Sequence, residues 1–190
     1  MTDPSHHDGT APSFEPPPRQ FDDGEDRVID IQAYGEALGD ADAADPPAEG
    51  DAEFEALVEM YEAFDPEDRA QGIPPVKEPA IRDWLNTILD GDCVNVVAWH
   101  DEAAIGHATL VPAGDDSSEL AIFVLGSHQG AGIGTELITA LLGQGQREGI
   151  GQVWLTVERW NDPAVALYRK VGFEPRDTKS FELEMAIELY

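Results

Sequence analysis

The sequence predicts one mixed α/β domain behind an acidic N-terminal tail. Stretches with helical and with strand-like periodicity alternate from residue 53 to the end of the chain. A chain of 190 residues, 42% of them hydrophobic, can bury one substantial core. Because Cys93 is the single cysteine, an internal disulfide and a multi-cysteine metal site are both excluded.

The first fifty residues contain one predicted strand between two polar stretches. Residues 1–26 are rich in Pro and Asp and have the composition of a disordered tail. "RVIDIQAY", residues 27–34, has the composition of a strand. Residues 35–52 carry few large apolar side chains and are expected to form an acidic insertion. The folded domain is therefore expected to span residues 27–190.

Two amphipathic helices and three strands are predicted next. "EFEALVEMYEAF" places its apolar residues at helical spacing and ends before Pro66. "AIRDWLNTILD" repeats the pattern, and Gly91 follows as a stop. "CVNVVAWH" and "AAIGHATLV" are β-rich runs separated by two residues, which predicts a hairpin. "ELAIFVL" then predicts a buried strand that leads into a glycine-rich stretch.

The last third of the chain predicts helix, strand, helix and one or two final strands. "GTELITALLGQGQREG" and "DPAVALYRKVG" are the helices, with Asn161 or Asp162 as the N-cap of the second. "QVWLTVE" is the strand between them. "SFELEMAIELY" alternates apolar residues with Glu, so it is predicted to be a half-exposed strand and a candidate edge for pairing between two copies.

Acidic residues dominate the charge of the chain. There are 39 Asp and Glu residues against 11 Lys and Arg, a formal net charge of -28. Such a surface repels itself at low ionic strength, and salt screens this repulsion. The composition therefore predicts a halophile-type protein from a salt-rich cytoplasm. It also argues against nucleic acid and anionic membranes as partners.

The glycine-rich stretch "QGAGIG", residues 129–134, is the first candidate for a binding site. A Walker P-loop needs a Gly-Lys-Ser/Thr ending, which is missing here, and the spacing Gly130-x-Gly132-x-Gly134 does not fit a dinucleotide fingerprint. A strand, a turn and a helix N-terminus remain, an arrangement that binds anions through backbone N–H groups. A glycine-rich turn without a ligand is the alternative.

Two motifs in the chain resemble signatures of one enzyme family. Gln129-x-x-Gly132-x-Gly134 is similar to the Q/R-x-x-G-x-G/A motif of the GNAT (GCN5-related) N-acetyltransferases. "NDPAVALYRKVGF", residues 161–173, resembles the second signature of that family. The resemblance covers residue 27, or at least residue 54, through residue 190. It implies a GNAT fold, with a mostly antiparallel sheet that is splayed between its fourth and fifth strands and flanked by about four helices.

The resemblance also implies acetyl-CoA as co-substrate. In the family the pyrophosphate rests on the glycine loop and the helix that follows, and the pantetheine arm pairs with the fourth strand. Carried onto this sequence, the cofactor-binding residues are Ile122, Phe123, Val124, Gln129, Gly130, Ala131, Gly132, Ile133, Gly134, Thr135 and Asn161. Local backbone dipoles would then bind the anionic cofactor in spite of the acidic surface.

Acyl transfer to an amine requires proton removal from the amine and proton donation to the departing thiolate. Tyr168 stands where the family commonly places its general acid, and a packed aromatic ring is the alternative. Glu119 resembles the glutamate that serves protein-lysine acetyltransferases as general base. Glu158, at the end of the fifth strand, is the competing base. His100, His107 and His128 stand apart in the sequence, so no metal site is predicted.

The expected activity is transfer of the acetyl group to a primary amine by direct attack in a ternary complex. Protein lysine, a peptide N-terminus and a small amine all remain open as acceptors, and the protein is expected to be a monomer or a homodimer. Transfer of another acyl group and a non-catalytic CoA sensor are alternatives. The N-terminus lacks the basic start and the apolar stretch of a signal peptide, which favours a cytoplasmic location.

Overall fold

The computed structural model describes residues 12–36, 51–65, 67, 74–114, 116–177 and 181–190. Within these ranges an eight-stranded sheet has the order β1-β2-β3-β4-β5-β6-β8-β7. The strands are β1 (Arg19–Asp22), β2 (Val28–Ala33), β3 (Val94–His100), β4 (Ala103–Pro112), β5 (Ser117–Val124), β6 (Gln152–Glu158), β7 (Glu174–Asp177) and β8 (Glu182–Glu188). The helices are α1 (Ala52–Glu62), α2 (Glu78–Ile88), α3 (Ile133–Arg147) and α4 (Asp162–Val171).

Helices cover both faces of the sheet, and each face has its own hydrophobic cluster. Helices α3 and α4 pack on one face, where Leu137, Leu141 and Val153 are fully buried. Helices α1 and α2 pack on the other face, around Leu57 and Leu85. The period-2 alternation of the strands divides their side chains between these two clusters. The predicted α/β class is confirmed, and so is the predicted element order from β2 onwards.

The sheet opens in its middle, between β5 and β6. These two strands form the parallel pair in a sheet whose other neighbours are antiparallel. Pairing joins only Ser117, Ser118 and Glu119 of β5 to β6. Beyond Glu119 the two strands separate, and a gap widens towards the glycine-rich loop at the end of β5. This gap is the predicted splay. It was expected between the fourth and fifth strands, and these strands are β5 and β6 here because the prediction did not include β1.

The N-terminal segment corrects the prediction of a disordered tail over residues 1–26. Residues 1–11 lie outside the described residues, but Arg19–Asp22 form β1, antiparallel to β2. Phe14 packs against the cluster beneath α3, and Pro17 is buried. The Pro- and Asp-rich composition that suggests disorder is equally typical of tight turns. The folded domain therefore begins before residue 27. The predicted insertion, residues 35–52, lies mostly outside the described residues.

The C-terminal strand also differs from its prediction as a candidate sheet edge. Strand β8 lies between β6 and β7, so both of its edges are paired. The short strand β7 forms the edge instead, and Pro175 within it suits an edge because proline has no N–H to donate. Phe181 is 83% exposed and precedes the strand, whereas Leu183, Met185 and Ile187 are buried as predicted.

Candidate functional site

The glycine loop, residues 129–135, runs from the turn after β5 into the first turn of α3 and has open space in front of two of its glycines. Gly130 and Gly132 have φ angles of 75° and 91°, a left-handed conformation that favours glycine. A Cβ added to either residue would meet no atom within 4 Å, so the space in front of both is open. Gly132 caps the 15-residue helix α3, whose first N–H groups lack carbonyl partners within the helix. These groups and the helix dipole suit an anion.

Gly134, which the motif assigns to cofactor binding, also has a packing role. A Cβ on this residue would lie 3.3 Å from Leu167 Cδ2 and 4.0 Å from Ile122 Cδ1. The glycine therefore lets α3 approach α4 and β5 closely. Sequence spacing alone could not distinguish this packing role from close approach to a phosphate.

Gln129 fixes the start of the loop to the end of β5. Its side-chain amide donates to the Val124 carbonyl at 2.9 Å. The Leu125 N–H donates to Ile105 in β4 at 3.0 Å. Because backbone groups alternate in direction along an antiparallel ladder, those of Val124 and Ile122 turn away from β4, towards the gap. The backbone groups of Phe123 turn towards β4.

Helix α4 follows β6 and packs against α3, with Leu167 close to Gly134. The Asn161 side chain accepts a hydrogen bond from the Ala164 N–H at 3.3 Å and caps the helix. The Tyr168 ring lies edge-on to Phe173, with centroids 5.9 Å apart. Burial raises the pKa of Tyr168 to about 12, so its hydroxyl stays protonated throughout the neutral range. Among the described residues, none forms a hydrogen bond with this hydroxyl.

The two candidate bases, Glu119 and Glu158, lie on strands that border the gap. Glu119 is the last residue of β5 paired with β6, at the closed end of the gap, and its side chain is exposed. Glu158 ends β6 at the open end. By strand alternation Glu119 shares a face with Phe123, which packs against α1 and α2. The preceding residue, Val157, is buried under α3 and α4. Because successive side chains of a strand point to opposite faces, Glu158 also lies on the α1–α2 face.

An aromatic cluster on the α1–α2 face lies beside the gap. Tyr61 contacts Trp84 and Phe123 with ring centroids 5.0 and 5.6 Å apart, and Phe64 contacts Phe123 at 6.1 Å. These residues come from α1, the segment after it, α2 and β5. The helical and strand periodicities predict that each of these side chains faces the hydrophobic core, but they do not predict that the four side chains contact one another.

A buried chain of hydrogen bonds fixes this cluster to the sheet. The Asn95 side-chain amide donates to the Ile88 and Cys93 carbonyls, so its oxygen faces His107 and accepts from Nε2 at 2.9 Å. His107 Nδ1 then accepts from the Tyr61 hydroxyl at 2.6 Å. Burial lowers the pKa of His107 to about 3, so the ring is neutral. Both nitrogens are satisfied, which makes His107 a structural residue.

The structure brings His100 and His128 together, a contact that the sequence does not indicate. Nε2 of His128 lies 3.2 Å from Nδ1 of His100, where the end of β3 meets the turn after β5. No group of three or more His, Cys, Asp or Glu side chains suited to a metal ion occurs among the described residues.

The sequence profile of the Acetyltransferase (GNAT) family matches residues 54–173. The chain belongs to the GNAT family. Its matched region runs from α1 to the end of α4 and so contains the glycine loop, the gap and Tyr168. In the part of this GNAT chain that the structure describes, no helix has the length and hydropathy needed to cross a membrane.

Individual relatives agree with this assignment. This GNAT chain is 28% identical over 153 residues to streptothricin acetyltransferase of Streptomyces lavendulae, an alignment that covers 76% of the chain. It spans 66% of that relative, just under two thirds of its length. The fold is similar to the GNAT domain of S. lividans PAT, with a TM-score of 0.71 and 14% identity over 90% of this chain and 96% of that one.

One of the similar structures was solved with a bound ligand. The PaiA N-acetyltransferase of Thermoplasma acidophilum, solved in complex with coenzyme A, has a TM-score of 0.57 and 19% identity over 72% of this chain and 91% of that one. At these identities the likeness to solved structures concerns the fold.

Proposed function

We propose that this GNAT domain is an N-acetyltransferase that moves the acetyl group of acetyl-CoA to a primary amine in a ternary complex. The observation that carries the proposal is the glycine loop at the mouth of the gap, with open space in front of Gly130 and Gly132 and with the N-terminus of α3 beside it. This loop follows the gap-facing backbone of β5, and Gly134 lies close to Leu167, the residue before Tyr168 on α4. Acetyl-CoA is the co-substrate that the resemblance to the GNAT family implies, so it is the expected ligand.

The loop fits the pyrophosphate of acetyl-CoA. Gly130, Gly132 and the first N–H groups of α3 would hold the phosphate oxygens through backbone donors. Asn161 and the backbone of Ile122 and Val124 would bind the pantetheine arm, much as an added strand pairs with a sheet edge. Because backbone dipoles make these contacts, a net charge of -28 does not prevent anion binding. Acetyl-CoA supplies the thioester; the chain supplies orientation and proton transfer.

Tyr168 is the proposed general acid. Its hydroxyl is protonated at neutral pH and would donate its proton to the departing thiolate sulfur. The Val124 N–H faces the gap and would polarise the acetyl carbonyl. Glu119 is the proposed general base, taking the proton of the amine directly or through a water molecule.

Replacing Glu119 by glutamine is expected to move the acidic limb of the kcat/KM profile to higher pH. The amine would then have to lose its proton without help, and the neutral-pH rate is expected to fall about tenfold, below the usual range for a general base because solvent can substitute. Glu158→Gln is the matched control, with the same chemical change on the facing strand. A shift in Glu158→Gln alone would assign the base to Glu158.

The acceptor is proposed to be a cationic small amine, with protein lysine and peptide N-termini as the other acceptors. The similarity to streptothricin acetyltransferase supports an amine of that class. Trp84 and Phe123 are the half-buried members of the aromatic cluster and would form one wall of the acceptor site, whereas Tyr61 and Phe64 are buried. The ring faces of Trp84 and Phe123 suit the cation of a protonated amine.

An acceptor screen tests the proposal. Release of free CoA thiol from acetyl-CoA would be measured in molar KCl with small polyamines, streptothricin-type amines, lysine peptides and peptides with free N-termini. Acetyl-dependent thiol release with one class is the expected result. Faster release from propionyl- or succinyl-CoA would indicate another acyl group, and tight CoA binding without turnover would indicate a sensor.

We also propose that the protein works in a salt-rich cytoplasm, as a monomer or homodimer and without nucleic-acid or membrane partners. Lowering KCl from about 1 M to about 0.1 M is expected to lower the Tm, because the Debye length grows from about 3 to about 10 Å and the acidic surface then repels itself. Sucrose at matched osmolality is the control. A Tm that does not change with KCl would contradict the halophile interpretation.

A further inference from the structure

The turn that joins β1 to β2, residues 23–27, lies against the glycine loop. The Gly24 N–H donates to the Ala131 carbonyl at 2.9 Å, in the middle of that loop. The approach is close, since a Cβ on Gly24 would lie 3.4 Å from the Ala131 Cα and oxygen. Arg27 Nη1 donates to the Ser127 carbonyl at 3.1 Å, just before the loop. The turn therefore contacts the loop at two separate places.

Asp23 fixes the turn internally. Its carboxylate lies 2.6 Å from Arg27 Nη2 and accepts from Arg27 Nε at 2.8 Å. It also accepts the N–H groups of Glu25 and Arg27 at 2.9 and 3.0 Å. The Asp23 side chain is fully buried. The hydrogen bond from Arg27 lowers the pKa of Asp23 to about 2, so the carboxylate remains charged and the guanidinium remains aimed at the loop.

A third contact reaches the helix beyond the loop. Arg19 of β1 forms an ion pair with Glu136 in the first turn of α3, with Nη2 and Oε2 2.6 Å apart. The hairpin of β1 and β2 thus contacts residues before, within and after the glycine loop. The pairing also neutralises a carboxylate close to the N–H groups that would receive the phosphates.

We propose that the β1–β2 hairpin is a brace that holds the glycine loop in its cofactor-binding conformation, with Arg27 as the central positioning residue. This inference rests on the proposed function of the loop. Two left-handed glycines make the loop costly to order, because glycine loses more conformational freedom than other residues. A loop held before the cofactor arrives does not lose that freedom on binding. The contacts of Arg27 are with Asp23, Glu25 and Ser127 rather than with Tyr168, so the brace is expected to affect affinity rather than turnover.

Arg27→Gln compared with Arg176→Gln tests the brace. Both variants lose one positive charge, but Arg176 pairs with Glu188 and Gln152 at the opposite end of the sheet. Arg27→Gln is expected to raise the KM and Kd for acetyl-CoA about tenfold with kcat nearly unchanged, the size expected for a lost charged hydrogen bond. Arg176→Gln is expected to stay within about twofold. Arg27→Lys keeps the charge and is expected to recover part of the affinity.

Amide hydrogen exchange of residues 127–135, measured without acetyl-CoA, makes the test independent of the proposed function. Faster exchange there in Arg27→Gln, but not in Arg176→Gln, supports the brace even if the wild-type protein fails to bind acetyl-CoA. Unchanged exchange and unchanged affinity in a folded Arg27→Gln variant overturn it. If that variant does not fold, Gly24→Val, which keeps the Asp23–Arg27 pair and pushes on Ala131, is judged by the same two measurements.

Discussion

Replacing Gly132 by valine is expected to abolish measurable binding of acetyl-CoA. The residue has a φ of 91°, which strains any L side chain and a β-branched one most. The new Cβ and its methyl groups would also project into the open space in front of the loop, where the phosphates are proposed to bind. Isothermal titration at high salt would measure the effect, and we expect at least about a hundredfold loss of affinity, the cost of several backbone hydrogen bonds.

Gly149→Val is the matched control. Gly149 has a φ of 82° and open space in front of it, but it follows the other end of α3. The two variants therefore share the backbone strain, and they differ in which end of α3 carries the substitution. Gly149→Val is expected to lose stability and keep its affinity for acetyl-CoA. Equal affinities in the two variants would contradict the proposed phosphate site.

Tyr168→Phe is expected to lower kcat by about a hundredfold while the affinity for acetyl-CoA stays nearly unchanged. General acids contribute roughly 10²–10⁴-fold, and the low end applies because a thiolate is a fair leaving group. Phenylalanine keeps the edge-on packing against Phe173, so only the hydroxyl is lost. Single-turnover measurement of thiol release would isolate the chemical step.

The control for this variant is Tyr190→Phe. It removes a hydroxyl that donates to the Gln146 carbonyl near the C-terminus, away from the gap. Its kcat is expected to match that of the wild-type protein. If Tyr168→Phe keeps full single-turnover rates, another group protonates the thiolate.

Much of the fold could be predicted because the periodicity of the inner elements is strong. Helices α1 and α2 follow a 3.6-residue pattern, and β3 to β6 are bounded by turn residues. The glycine loop could be located because its motif has a fixed spacing. Alternation in β8 predicted which of its residues face the core, since Leu183 and Met185 are buried.

Other features depend on contacts that local patterns do not encode. Residues 12–26 look disordered by composition, yet the buried Asp23 carboxylate orders their turn through Arg27. The chain from Tyr61 through His107 to Asn95 joins α1 to two strands, and no spacing rule relates these residues. Gly134 belongs to a motif, but its small size serves the packing against Leu167. The last two features join residues that are far apart in the sequence, and the first depends on the burial of Asp23, so each can be recognised only in the folded structure.

The division of the molecule by its sheet has a consequence for how such a domain can diversify. Helices α3 and α4, with the glycine loop, lie on one face of the sheet. Helices α1 and α2, with the aromatic cluster, lie on the other face. Selection for a new amine could therefore rework α1 and α2 while the machinery for the shared cofactor is inherited intact. In a laboratory evolution experiment, mutations that change the acceptor would accumulate around Trp84 on α2, and the loop from Gln129 to Thr135 would stay unaltered.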